Sequence, residues 1–137
     1  MARGAHSNGV FVTGGVASIA NNTTYTDGTA LEFDSLVVPV WDVEKLIIQG
    51  LFTGGAGAAG AVVFNLVGRI KDAGTWDTTI AYTLTMARDG TAAVLESGQI
   101  DVRGHHSIKL YSVAVADGTA AITTVNLNWG KSYPWRR

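Results

Sequence analysis

The chain has no cysteine and only two prolines in 137 residues. Without cysteine there is no disulfide framework, no thiolate metal site and no thiol redox centre. Scarce proline leaves backbone donors available along the chain, so long strands are not interrupted for that reason. Charge is thin as well: acidic and basic residues together make up 15% of the chain, below the ~25% of an ordinary globular domain. No apolar run approaches the ~18–20 residues that a membrane-spanning helix needs. The opening residues, Met-Ala-Arg-Gly-Ala-His-Ser-Asn-Gly, lack the apolar centre of a secretory signal. No membrane partner is therefore expected. The overlapping Asn-x-Thr triplets at Asn21 and Asn22 are read as chance matches to a glycosylation signal.

What is present is apolar and hydroxyl-rich. Apolar residues make up 47%, and there are fifteen threonines. This composition fits β-strands with a buried face and a threonine outer face. The length fits one domain able to bury a core without staples. A surface so poor in charge suits a monomer with a neutral polar exterior or a protein covered by partners.

The charge is unevenly placed. Residues 27–128 hold six basic and eleven acidic side chains, which gives −5. The first 26 residues hold Arg3 alone (+1), and the stretch after Asn128 holds Lys131, Arg136 and Arg137 (+3). An acidic body with basic ends suits contact between subunits or the gripping of another acidic surface. The alternative is that basic ends simply extend into solvent.

The tetrapeptide Asp-Gly-Thr-Ala occurs three times, at Asp27, Asp89 and Asp117. Asp-Gly tolerates the positive φ of tight reversals, so the copies at Asp89 and Asp117, each between strand-like runs, read as hairpin turns. Leu36, Val38 and Val40 fall on one parity, and Leu31, Phe33, Val37 and Trp41 on the other, which suggests a strand buried on both sides. Pro39 within it favours an edge or a bulge. Residues 43–53 form the next strand, with Leu46, Ile48 and Phe52 on one face. The Gly/Ala run 54–61 reads as a loop tip; it lacks the Gly-Lys-Ser/Thr of a phosphate loop. Val62, Phe64, Leu66 and Ile70 then alternate with Val63, Asn65, Val67 and Arg69. Ile80, Tyr82, Leu84 and Met86 alternate with Thr79, Ala81, Thr83 and Thr85 in the clearest strand of all. Residues 92–102 form a weaker one, broken by Gly98. In 106–116 the apolar parity slips from Ile108 and Leu110 to Val113 and Val115, the signature of a β-bulge or a corner. Val125, Leu127 and Trp129 close the series.

No window shows a helical period. The spacing predicts an all-β, antiparallel two-sheet sandwich, jelly-roll or immunoglobulin-like. With no cysteine pair bracketing a tryptophan, the jelly roll is favoured. The expected organisation is an N-terminal arm over residues 1–29, a sandwich domain over 30–129 and a C-terminal arm over 130–137.

Catalytic constellations fail one by one. His105 and His106 are adjacent, so on a strand they face opposite ways and do not share one metal ion. The carboxylate pairs Glu32/Asp34 and Asp42/Glu44 each share a parity, but nothing around them marks a pocket. There is no Gly-x-Ser-x-Gly, and no basic stripe with interleaved aromatics for nucleic acid. No enzyme activity, catalytic residue, cofactor, metal site or nucleic-acid partner is expected.

The strongest cluster is Trp129, Tyr133, Pro134 and Trp135, followed by Arg136 and Arg137. Aromatics and arginine dominate interface hot spots. Trp129, in phase with Val125 and Leu127, reads as core. Tyr133 and Trp135 either cap their own sandwich or sit at an inter-chain contact, and the contact is preferred. The expected interface residues are Arg3, His6, Tyr133, Trp135, Arg136 and Arg137.

A cysteine-free, Thr/Ala/Gly-rich β chain of this kind resembles the capsid decoration (cement) proteins of tailed bacteriophages. The resemblance lies in Glu44-Lys45-Leu46-Ile47-Ile48-Gln49-Gly50-Leu51, in Ser107-Ile108-Lys109-Leu110-Tyr111-Ser112-Val113-Ala114-Val115 and in the tail from Asn128 to Arg137. It implies a jelly-roll fold, a homotrimer and a seat on the outside of the virion capsid, made in the host cytoplasm. The implied partner is the major capsid protein, whose neighbouring subunits such a trimer clamps together. Two alternatives stand beside it. One is a carbohydrate-binding jelly-roll module, with Trp41, Trp76 or Tyr82 stacking on sugars. The other is a tail or fibre component of the virion.

Overall fold

Period-two alternation builds two sheets around one core. The computed structural model describes residues 5–13, 16–19, 23–27, 33–53, 61–87, 93–116 and 122–133. Among them lie ten strands and no helix: β1 (Ala5–Val10), β2 (Val16–Ile19), β3 (Thr23–Thr26), β4 (Val38–Pro39), β5 (Lys45–Thr53), β6 (Ala61–Arg69), β7 (Tyr82–Ala87), β8 (Ala93–Asp101), β9 (Ser107–Ala116) and β10 (Ile122–Tyr133). In β5, Leu46, Ile48 and Phe52 are wholly buried while Ile47 is exposed; in β6, Val62, Phe64 and Leu66 are wholly buried. With Val113 and Val115 of β9 and Val125 and Leu127 of β10 they form one core cluster.

One sheet runs β1-β10-β5-β8, with β2 also on β10; the other runs β3-β9-β6-β7, with β4 also on β9. All these pairings are antiparallel. Counting β1 with β2, and β3 with β4, as interrupted strands leaves eight positions, ordered 1-8-3-6 and 2-7-4-5. Positions 1 and 8, 2 and 7, 3 and 6, and 4 and 5 are all neighbours. That is one long antiparallel ribbon wound into two layers, the jelly-roll arrangement. β1, β2 and β3 arise within the stretch read as a lead-in, because β9 and β10 supply their hydrogen-bonding partners.

The winding corrects one expectation. Residues 88–92 and 117–121, which hold the Asp89 and Asp117 turns, lie outside the described residues. The strands on either side of each turn belong to opposite sheets, so these reversals cross between layers and are not hairpins. Asp-Gly chemistry favours a reversal without specifying which sheet the next strand joins.

Other expectations are met or corrected residue by residue. β9 carries the bulge: the register steps from Asn65↔Ser112 to Leu66↔Leu110, leaving Tyr111 as the extra residue. Pro39 lies in a two-residue strand paired with β9 alone. The segment around it is not buried on both sides, since Val38 and Val40 enter the core while Leu36, Val37 and Trp41 are exposed. Ile70 is exposed just beyond β6, and Ile80 precedes β7. Gly98 does not break β8. It faces the core opposite Ile48, where a Cβ would come within 3.3 Å of Leu84 Cδ2. Gly50 does the same beneath Met86, whose sulfur would lie 2.5 Å from an added Cβ.

Phe64 is wholly buried in the middle of this core. Urea unfolding of Phe64→Ala is expected to show a loss of about 3–5 kcal/mol. Thr85→Ala on the exposed face is expected to stay within about 0.5 kcal/mol of the parent.

Candidate functional site

Three connections, residues 40–44, 70–81 and 102–106, close one end of the sandwich, where β5 begins opposite the end of β8. β10 also finishes here, with Gly130 beside Ile47 and Tyr133 beside Ala5. Both ends of the described chain therefore leave from the same end. His6 lies in β1 opposite Ser132, and Tyr133 lies opposite Ala5, so the backbones of these two expected interface residues run side by side. Arg3, Trp135, Arg136 and Arg137 lie outside the described residues.

The adjacent histidines diverge, as strand geometry requires. The Tyr82 hydroxyl and His105 Nδ1 share a hydrogen bond of 2.8 Å, and Asp77 Oδ2 lies 3.5 Å from Nε2. Burial, with the Asp101 charge adding to it, pushes the Tyr82 phenol above its ordinary 10.0. The His105 ring occupies the space over Gly68, where an added Cβ would collide with it. His106 instead meets Ser107 Oγ at 2.8 Å and stacks on Trp41, with centroids 6.4 Å apart and planes at 26°. Among the described residues no three metal-ligating side chains converge.

The aromatics differ in what engages them. Arg69 and Lys109 lie over the Trp76 ring at 4.6 and 4.9 Å. Asp27, from the first Asp-Gly-Thr-Ala copy, holds Lys109 at 2.9 Å and accepts the Ser35 N–H at 2.7 Å. Asp72 lies 3.8 Å from Arg69, whose buried Nε has no partner among the described residues. Trp76 thus pins the 70–81 connection to the sheet, helped by Asp77 N–H to Gly68 O at 2.9 Å. Trp129 packs against the core, as expected from its phase, with Lys131 Nζ 5.5 Å over its ring.

Trp41 is different: it is 67% exposed. Beside it lies a groove of about 290 Å³ lined by Asp42, Glu44, Arg103, Gly104 and His105. Asp42 binds Lys131 at 2.9 Å, and the lysine side chain is only 3% exposed. Gly104 adopts a positive φ of 94°, which lets the 102–105 turn close. Arg103 forks onto Asp101, with Nε 3.0 Å from each carboxylate oxygen. Hydrogen bonds from the Arg103 side chain and backbone pull the Asp101 carboxyl from 3.8 to about 2. Asp42 and Glu44 line one groove, but Asp42 is committed to Lys131. Asp34 is exposed, and Glu32 lies outside the described residues. A second groove, about 500 Å³, crosses the outer face of β1, β10 and β5 at Asn8, Val10, Gln49 and Asn128.

Sequence reasoning placed Trp41 in a strand buried on both sides and exposed it only in the carbohydrate-binding alternative, and it missed the burial of Lys131. A tryptophan in a Val-rich run reads as core, and a lysine past the last apolar residue reads as surface. Nothing local signals that Lys131 and Asp42 meet across 89 positions.

No protein-family model and no curated protein matches the chain. Solved structures do. The xylan-binding CBM22-1 domain of Paenibacillus barcinonensis Xyn10C is 16% identical with a TM-score of 0.50, covering 99% of both chains. The VP2 subviral particle of infectious bursal disease virus is 16% identical with a TM-score of 0.49; the match covers 96% of this chain and 33% of that one. The vertex protein P5 of PRD1 is 14% identical with a TM-score of 0.46, covering 99% of this chain and 74% of that one. The chain thus spans about a third of the VP2 chain and nearly all of the xylan-binding domain. At these identities the similarity concerns the fold.

Gly68→Ala is expected to displace His105 and break its bond to Tyr82, lowering stability by about 1–3 kcal/mol in denaturant titrations. Gly130→Ala, where an added Cβ meets nothing within 4 Å, is expected to stay within about 0.5 kcal/mol. Asp101 has a folded pKa below its unfolded one, so its stabilisation is complete above 3.8 and is lost as pH falls towards about 2. Thermal melts across that window should therefore fall less steeply for Asp101→Asn than for the parent.

Proposed function

We propose that the protein is a non-enzymatic virion component that binds the outside of a phage capsid as a homotrimer and stabilises contacts between major capsid subunits. One observation carries this reading: the pairing of β1 with β10 sets Ala5 beside Tyr133, so the two basic termini depart together from one corner of an acidic body. In this reading Arg3, Arg136 and Arg137 engage a surface of opposite sign. Leu36, Val37 and Ile70 add exposed apolar area, the kind of surface that marks interaction sites when it is contiguous. The double-layered scaffold supplies rigidity, so docking costs it little conformational freedom.

The mechanism is binding alone. Each copy makes modest contacts across a subunit seam, and a trimer multiplies them through effective concentration. Because the basic ends supply the attraction, association weakens with salt.

Co-sedimentation with expanded capsids that lack the protein tests the reading. The full chain is expected to bind, less well in high salt, and a variant missing residues 1–4 and 134–137 is expected to lose at least about tenfold in affinity, equivalent to about 1.4 kcal/mol. Light scattering is expected to give three copies per particle in solution. A protein that neither self-associates nor binds capsids ends this proposal, as does a doubly truncated variant that binds like the parent.

A further inference from the structure

Trp41 stands apart from the other aromatics at its end of the sandwich. The Trp76 ring is engaged by two cations, the Tyr82 hydroxyl is bonded to His105, and Trp129 packs on the core. The Trp41 indole is backed by the His106 imidazole, stacked at 6.4 Å and 26°. The N–H groups of Val40 and Trp41 both donate to His106 O, at 2.8 and 3.1 Å. Both rings are thus carried on one hydrogen-bonded corner, and the indole remains 67% exposed. It is a flat apolar platform whose orientation is set before any ligand arrives.

The groove beside the platform is polar. Glu44 offers a carboxylate acceptor, and Arg103 offers guanidinium donors. With two acids and one base, these charged lining groups sum to −1. At about 290 Å³ the groove sits at the lower end of ligand pockets, which run from about 300 to 1,000 Å³.

We propose that this corner is a glycan subsite that takes one or two rings of a neutral, hydroxyl-rich sugar chain. A pyranose has an apolar C–H face and a rim of hydroxyls. The face stacks on Trp41, and the rim hydroxyls donate to Glu44 and accept from Arg103. The net negative lining disfavours uronic acids, whose carboxylates would face carboxylates. The subsite is independent of the capsid-docking reading, since its side chains come from residues 41–44 and 103–106 and not from the termini.

The test follows the Trp41 indole N–H of the full chain by NMR during titration with cellohexaose, xylohexaose and mannohexaose, with hexagalacturonate as the charged comparator. At least one neutral oligosaccharide is expected to shift that resonance saturably, and hexagalacturonate to bind more weakly. Trp41→Ala is expected to weaken binding about tenfold or more, whereas Tyr111→Ala, an exposed aromatic elsewhere on β9, is expected to leave it unchanged. Trp41→Phe retains a ring and is expected to keep part of the affinity. The proposal is overturned if no neutral oligosaccharide moves the resonance, if Trp41→Ala binds like the parent, or if hexagalacturonate binds as tightly as the neutral chains. Capsid co-sedimentation reads the docking proposal separately, so either can fail alone.

Discussion

Backbone pairing to β9 and β10 holds the N-terminal third of the chain in place. Each of these strands is bonded on both sides: β10 by β1, β2 and β5, and β9 by β3, β4 and β6. β2 and β3 are only four residues each. Phe11 adds a side-chain anchor. It is wholly buried at the break between β1 and β2, donates its N–H to Leu127 O at 2.9 Å and accepts from Leu36 N–H at 2.7 Å. One side chain and two backbone bonds thus join β10 to two separate parts of the N-terminal region.

The same pairing organises the candidate site. β10 ends beside the start of β5, so Lys131 reaches Asp42 and ties the last strand to the connection that presents Trp41. A few positions away, the 102–106 turn supplies Arg103 to the groove, His105 to Tyr82 and His106 to Trp41. Two adjacent histidines therefore do unrelated things, one buttressing the 70–81 connection and the other backing an exposed indole. The alternation that sends neighbouring side chains apart also lets one short turn serve two surfaces.

Much of the fold was legible in the sequence because its signals are local. The alternation around Leu46 to Phe52 and around Thr83 to Met86 placed β5 and β7, the parity slip between Leu110 and Val113 announced the bulge, and Pro39 marked an edge. What failed depends on distant partners. Gly98 looks like a break until Leu84 is seen to need its space, and the Asp89 and Asp117 reversals look like hairpins because sheet membership is decided by the winding of the whole ribbon. For the candidate site, the charge asymmetry of the ends was plain, and the divergence of His105 and His106 followed from adjacency. The exposure of Trp41 was open between two readings, core strand or sugar-stacking ring, since apolar composition alone cannot tell which face of a short edge segment meets solvent.

Pairing Ala5 with Tyr133 joins positions 128 apart (133 minus 5). A ribosome releases residues in order, so the first strand of this protein emerges long before its template exists. Topologies dominated by such distant contacts fold slowly and leave strand edges unpaired in the meantime. The sequence of that strand, Ala-His-Ser-Asn-Gly-Val, has little with which to stick to a neighbour while it waits in water. Its polarity, which hid it from a search for apolar alternation, suits a segment that must remain harmless until the rest of the molecule has been made.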